Sequence, residues 1–313
     1  MEKIFCDLCG WREYDTFLNN IKSPEFDEEF TLVKCTKCGL VYINPRPRES
    51  QIGKYYSGSN YFSDTSNARQ KYSFLYDMVF KVAKVKKGKV FDIGAGTGLF
   101  LTEFKKRGWE VDGLEPANVG RRIAKTKFGI SLKKDDLLDI DFKDKYFDLV
   151  VLNNVIEHLH KPVESLNKVS RIVKKGGCVL ISCPNIDGIG SLLFRKKWYG
   201  MDVPRHLYQF NPETLGVLLN QSGFKIVKIS QNFYRHNYAV LFESFRRSLS
   251  PRFSVTRKVE KPLIKSNVSG EKNKQSLVKQ IGVDVCKVVS GLIAFIEPLI
   301  GRGEILTILA KKP

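Results

Sequence analysis

Short apolar runs alternate with stretches of helical period along most of this 313-residue chain. Lys89-Val90-Phe91-Asp92-Ile93 reads as a buried strand, because a brief run of branched and aromatic residues stopped by glycine suits a strand covered on both faces. Residues 99–107 then place apolar side chains at helical spacing and end at Gly108. The alternation continues with a strand at 110–116, a helix at 121–128 closed by Gly129 and a short strand at 130–132. A strand at 146–152, a helix at 163–173 stopped by Lys174-Lys175-Gly176-Gly177, and a strand at 178–183 ended by Pro184 follow. Asn211 is placed to cap a helix with Pro212 at its first position. Strands at 224–229 and 305–310 complete a set of seven. Strands interleaved with helices predict an α/β fold around a doubly wound, mostly parallel sheet.

Three segments stand outside that alternation. Leu40-Val41-Tyr42-Ile43 is a short strand halted by Pro45 and Pro47. Aromatic residues crowd 55–76, and helical spacing over 67–82 predicts a helix there. Between the last two strands, residues 243–281 carry ten Lys/Arg against three Asp/Glu, and 281–300 is apolar except at Asp284, Lys287, Glu297 and Pro298. Those interruptions argue against a membrane span. A surface-lying helix beside a basic stretch would suit an anionic membrane, and a cap over a cleft or a dimer helix is the alternative. The chain divides accordingly into 1–48, an aromatic and helical lid at 49–84, a core at 85–235, a basic and amphipathic insertion at 236–300 and a last core strand at 301–313.

Composition adds bounds. A chain 42% hydrophobic and 12% aromatic can build a large core, which excludes global disorder. The net charge of +19 fits a lysine-rich solvated surface, an anionic substrate, a membrane surface or nucleic acid. The start lacks the apolar stretch of an export signal, so the seven cysteines are expected reduced in the cytoplasm. Cys6-x-x-Cys9 and Cys35-x-x-Cys38, each followed by glycine, form two knuckles whose four sulfurs can close a tetrahedron around a structural Zn²⁺. Cys178, Cys183 and Cys286 lie in apolar segments and read as core.

The chemistry concentrates at Asp92-Ile93-Gly94-Ala95-Gly96-Thr97-Gly98, where a strand runs into a glycine turn and a helix. Such a turn at the carboxyl edge of a parallel sheet is a nucleoside site. A pyrophosphate-binding turn wants G-x-G-x-x-G, but its third position here is Leu99. The D-x-G-x-G-x-G pattern resembles motif I of the class I S-adenosylmethionine (SAM) methyltransferases. That resemblance covers about 85–235 and the last ten residues. It implies a Rossmann-like seven-stranded sheet whose last strand is antiparallel between the fifth and sixth. Asp92, Gly94, Gly96 and Gly98 would then line the cofactor, Glu115 would take the ribose hydroxyls, and Asp136 with Leu137 would meet the adenine. Asn153 and Asn154 would lie against the methionine end. Asn153 to Leu159 resembles a segment ending in Glu-His-Leu common in small-molecule methyltransferases, which makes His158 a catalytic candidate.

Between strands five and six, Tyr199, Asp202, Arg205 and His206 crowd into a loop that would open beside the reactive methyl. A histidine there is a natural general base, an arginine there can hold a phosphate or carboxylate, and a structural His206–Asp202 pair is the alternative. Asp202-x-Pro204-Arg205-His206-x-x-x-Phe210-x-Pro212 resembles a stretch of zinc-ribbon methyltransferases encoded among bacterial surface-glycan genes. Tyr56 and Tyr61 flank Gly58 and are candidates to cover substrate, Tyr61 with a catalytic role. The resemblance implies methyl transfer to a small or carrier-linked metabolite, with a sugar of envelope glycan synthesis as the leading acceptor. Zinc and the basic charge would also suit a nucleic-acid methyltransferase, but Asn153-Asn154-Val155-Ile156 lacks the proline and aromatic that grip a flipped base. A non-catalytic SAM-binding or zinc-ribbon interaction protein is the third expectation. Oligomeric state is not readable here.

Overall fold

A computed structural model describes residues 1–23, 26–56, 68–83, 87–249 and 271–313. It opens with three antiparallel strands, Tyr14–Lys22 (β1), Glu29–Cys35 (β2) and Val41–Ile43 (β3). The cysteine knuckles sit at the ends of this meander. Short helices Ala68–Lys71 (α1) and Ser73–Asp77 (α2) and a π-turn at Met78–Val82 follow, in place of the single expected helix.

The main sheet begins with Lys89–Ile93 (β4) and continues through Leu101–Lys106 (α3), Glu110–Leu114 (β5) and Asn118–Phe128 (α4), which Gly129 closes in the left-handed region. Phe147–Asn153 (β6), Pro162–Ile172 (α5), Val173–Pro184 (β7) and Ile189–Phe194 (α6) come next. Tyr208–Gln209 (β8) leaves the main sheet to pair with β3, giving the amino-terminal sheet the order β1-β2-β3-β8. Pro212–Gln221 (α7) starts where expected. The Asn211 side chain accepts from the Thr214 N–H at 2.9 Å while Thr214 Oγ1 accepts from the Asn211 N–H, a reciprocal cap worth about 1 kcal/mol. Lys225–Ser230 (β9), Tyr234–Leu249 (α8), Glu271–Ile296 (α9) and Ile305–Lys311 (β10) finish the chain.

The main sheet has the order β5-β4-β6-β7-β10-β9, with β10 antiparallel between β7 and β9 as the resemblance implied. It has six strands among the described residues, not seven. The strand expected at 130–132 is reduced to a single bridge between Leu114 and Lys133. Two apolar residues flanking Ser131, followed by Lys133-Lys134-Asp135-Asp136, supply too little buried surface to extend an edge strand. The period of two sorts the core. Val90, Leu149, Val151, Cys178 and Leu180 pack on one face, and Phe91, Val150, Leu152, Val179 and Ile181 on the other. The amino-terminal sheet joins both cores, Leu32 and Ile43 on the first side and Val33 and Tyr42 on the second.

Most expected lid aromatics pack rather than gape. Tyr76 stacks on Phe100 at 5.0 Å and its hydroxyl donates to the Phe100 carbonyl at 2.8 Å, docking α2 onto the start of α3. Helices α8 and α9 pair antiparallel, with Tyr234 at the start of α8 beside Gly291 late in α9. The α8 helix also lies on α6 and on the Tyr199–Met201 turn. No helix among the described residues is long and apolar enough to cross a membrane.

Candidate functional site

Strand β4 lies between β5 and β6, both parallel to it, and the chain reverses its direction of build there. A crevice therefore opens at the carboxyl ends of these strands. Asp92 pairs in register with Gly113 and Val151, so it stands at the floor of that crevice. It is buried, its carboxylate has no hydrogen-bond donor among the described residues, and burial together with the nearby Glu115 pushes its pKa well up.

The turn after β4 is fixed by backbone bonds, the Ala95 N–H to the Leu114 carbonyl at 2.8 Å and the Gly98 N–H to the Ala95 carbonyl at 2.9 Å. Gly94 has φ +69° and a Cβ there would lie 2.5 Å from Val155, so only glycine fits. Gly96, at φ +56°, faces open space instead. Gly98 closes the turn against Ala124 of α4. Glu115 follows β5 directly. Its Oε2 accepts from the Gly96 N–H and its Oε1 from the Ala117 N–H, both at 2.8 Å, and burial raises its pKa against those bonds.

These features test the fit of SAM. Two buried carboxylates on adjacent strands, with lone pairs left over, face a turn that is open at Gly96. That donor-poor, acceptor-rich cradle suits a nucleoside bringing hydroxyl and amino donors. Asp136 is exposed and accepts from the Leu138 N–H at 2.8 Å, and Leu137 beside it is buried. Asn153 ends β6 opposite Ser182, and Asn154 takes φ +54° with its N–H on the Ser182 carbonyl at 2.7 Å. Asp92, the glycine turn, Glu115, Asn153 and Asn154 stand at or just past the carboxyl ends of β4, β5 and β6.

A second cluster adjoins the first through Val155. The turn Ile156–His158 brings Glu157 and His158 against the segment 198–207. That segment is not an open loop: Trp198, Met201, Val203 and Leu207 are buried, and the Leu207 N–H donates to the Glu157 carbonyl at 2.8 Å. Asp202 holds Arg205 through two bonds of 2.7 and 3.0 Å. Burial opposes charge on Asp202, but His206 and Arg205 outweigh it and its pKa falls. Asp202 Oδ2 is 3.9 Å from His206 Nε2, within ion-pair reach but too far for a hydrogen bond.

Both imidazoles have a fixed tautomer. His206 Nδ1 lies 2.8 Å from the Gly200 carbonyl, and His158 Nδ1 lies 2.9 Å from the Arg205 carbonyl. A carbonyl only accepts, so each Nδ1 carries the proton and each Nε2 a lone pair. The Tyr56 hydroxyl, 3.0 Å from His158 Nδ1, then accepts as well. Burial lowers both histidines, His158 to about 3. Tyr199 is half exposed and stacks under Arg247 rather than on the histidines. Tyr61 lies outside the described residues.

The sequence reading did not single out Glu157. It is 1% exposed, neither carboxylate oxygen has a hydrogen-bond partner among the described residues, and burial followed by Asp202 pushes its pKa up to about 8. Arg46 was missed too. It is buried, bonds Glu2, Asp7, the His160 carbonyl and the Tyr208 hydroxyl, and so ties the amino terminus to β8. Its only sequence signal was an arginine between two prolines.

Cys6, Cys9, Cys35 and Cys38 place their four Sγ atoms within 4.8 Å of one another, with Cys6–Cys38 at 3.4 Å and Cys9–Cys35 at 3.6 Å. A tetrahedral ion about 2.3 Å from each sulfur needs edges of about 3.8 Å, so the four fit Zn²⁺ with a small outward shift. Burial raises the Cys6 and Cys38 thiols, Cys38 to about 11. Four cysteines leave no open position, which suits a structural ion.

A family model described as a methyltransferase domain matches residues 66–229. An uncharacterised protein of Methanocaldococcus jannaschii is 25% identical over 151 residues, 48% of this chain and 71% of that protein. An uncharacterised methyltransferase of Staphylococcus carnosus is 30% identical over 97 residues, 31% of this chain and 46% of that protein, so the aligned part spans less than half of its length. Among solved structures, the [4+2]-cyclase SpnF is similar with a TM-score of 0.51 at 15% identity, over 86% of this chain and 98% of that one. At that identity the likeness extends to the fold alone.

Proposed function

We propose, from the premise that this chain belongs to the methyltransferase-domain family, that it is a SAM-dependent methyltransferase acting on a small or carrier-linked metabolite. The observation that carries the reading is the pair of buried carboxylates, Asp92 and Glu115, on either side of the open glycine turn. When bound, SAM supplies an electrophilic methyl group on a sulfonium. Glu115 would hold the ribose and Asp92 would line the cofactor beside it, with Gly94, Gly96 and Gly98 giving close approach. Asp136 and Leu137 would border the adenine, and Asn153 and Asn154 the methionine end.

The acceptor's place in this reading is the second cluster. His206 offers a bare Nε2 to an acceptor hydroxyl, with His158 beside it at a ring separation of 4.7 Å. The His206 ring can receive the acceptor's proton, with the Asp202 carboxylate 3.9 Å from its Nε2 to offset the charge formed. Arg205 and Asp202, already paired with each other, shape the wall, and Tyr56 and Tyr199 border it. The enzyme's contribution is chiefly alignment of the two reactants, with proton removal second. A sugar of envelope glycan synthesis remains the leading acceptor, on the strength of the Asp202–Pro212 motif. Zn²⁺ on the four cysteines would be structural.

Calorimetry with SAM is the direct test. One SAM per chain is expected, and no binding overturns the reading. With a methyl-accepting substrate in hand, His206→Ala is expected to lower kcat by about 10²–10⁴-fold while SAM affinity stays within twofold. Unchanged turnover would remove His206 from the chemistry.

A further inference from the structure

Three side chains that can ligate through a lone pair meet in the second cluster. Glu157, His158 and His206 each bring one ligand atom to within 4.8 Å of the others. Both imidazole Nδ1 protons are spent on backbone carbonyls, so Nε2 is the lone-pair nitrogen of each ring. Both Glu157 oxygens are buried and unpartnered among the described residues. Asp202 Oδ2 adds a fourth acceptor, 3.9 Å from His206 Nε2. A buried carboxylate without a donor, as at Glu157, is costly, and a positive charge beside it removes the cost. A histidine whose Nδ1–H is pinned by a carbonyl is also the usual arrangement of a metal ligand, because the pin fixes tautomer and ring direction.

We propose that Glu157, His158 and His206 bind a divalent metal ion, a site separate from the four cysteines, and that the ion's remaining positions take oxygen atoms of the acceptor. Two imidazoles favour a first-row transition ion over Mg²⁺. Ligand atoms about 2.1 Å from an ion lie about 3.0–4.2 Å apart, so side chains whose ligand atoms lie within 4.8 Å of one another would close inward on it. Three protein ligands leave open positions, unlike the cysteine site. This assignment rests on the methyltransferase reading for its acceptor and deepens it. The substrate class becomes a hydroxylated acceptor that offers oxygen ligands. An ion held there would engage the His206 lone pair in place of its role as base, and would acidify a bound hydroxyl so that its proton passes to solvent water.

The test uses the zinc-loaded protein and Mn²⁺ alone, which disfavours thiolate ligands. Electron paramagnetic resonance and calorimetry are expected to find one tight Mn²⁺ per chain, with affinity lowered at least tenfold in Glu157→Gln. His158→Gln, at a partly exposed position, is expected to do the same if Glu157→Gln does not fold. SAM calorimetry on the same samples separates the two readings. Mn²⁺ binding without SAM binding keeps the metal site and overturns the methyltransferase reading. SAM binding without Mn²⁺ binding, or with equal Mn²⁺ affinity in a folded variant, overturns the metal site and leaves His206 as the proton acceptor of the methyltransferase reading.

Discussion

Glu115 shows what a single residue does at the cofactor edge. Its carboxylate holds two backbone N–H groups, at Gly96 and Ala117, and so fixes both the glycine turn and the start of α4. Glu115→Ala removes both charge-assisted bonds, each worth about 1.5–3 kcal/mol. We expect SAM affinity to fall at least tenfold by calorimetry, with a lower melting temperature as the turn loosens. Unchanged affinity would remove Glu115 from the cofactor's surroundings. This residue was legible in the sequence because an acid directly after a strand, at a set distance from a glycine turn, is a local pattern. Glu157 was not. Its residue type predicts exposure, and only the return of the segment 198–207 over it creates the buried, unpartnered carboxylate.

Among the elements, the junction of α9 with β10 is the least ordinary. Glu297, in the turn that ends α9, and Glu304, just before β10, are both fully buried and hydrogen-bonded to each other. Glu304 also accepts from the Trp198 indole N–H and the Gly190 N–H, joining β10 to α6 and to the segment 198–207. Burial first, and the neighbouring carboxyl second, push Glu297 up to about 8, and burial lifts Glu304 to about 7. A free glutamate loses its proton near 4.3. Between that value and 8 the unfolded chain is deprotonated while the folded pair retains protons, so stability is greatest at the acid end and falls as pH rises. Melting temperature is expected to decline from pH 5 to pH 8, and Glu297→Gln to flatten that decline. A flat wild-type profile would show that the pair is ionised throughout. The sequence displayed Glu297 only as a charge interrupting an apolar stretch, since the pairing partner lies across a turn and its burial depends on Trp198. The missing edge strand at 130–132 is a similar case: Ile130 and Leu132 alternate as a strand would, but charges after them stop the ladder at one bridge.

At the scale of the whole molecule, two sheets are coupled through one short strand. The cysteine knuckles anchor β1 and β2, β3 follows, and β8 pairs with β3 two residues after His206. Arg46 reinforces the same path, bonding Asp7 beside the first knuckle and the Tyr208 hydroxyl in β8. The SAM edge belongs to the other sheet, whose glycine turn takes its bonds from Leu114 and Glu115. Sequence patterns gave the two units separately, because knuckle and turn are each local. Their coupling was hidden, since Tyr208-Gln209 is too short to register as a strand and sits within what looked like a loop. Removing zinc is therefore expected to disturb the acceptor side and spare the cofactor side. After treatment with a strong chelator, turnover should fall at least tenfold while SAM affinity stays within about twofold. Zn²⁺ should restore turnover and Mn²⁺ alone should not, because Mn²⁺ does not replace zinc on four thiolates. Full turnover in zinc-free protein, or a loss of SAM binding as large as the loss of turnover, would break the link from cysteines to β8. Arg46→Met gives an independent reading of that link: with the knuckles intact, it should weaken turnover in the same direction without releasing zinc.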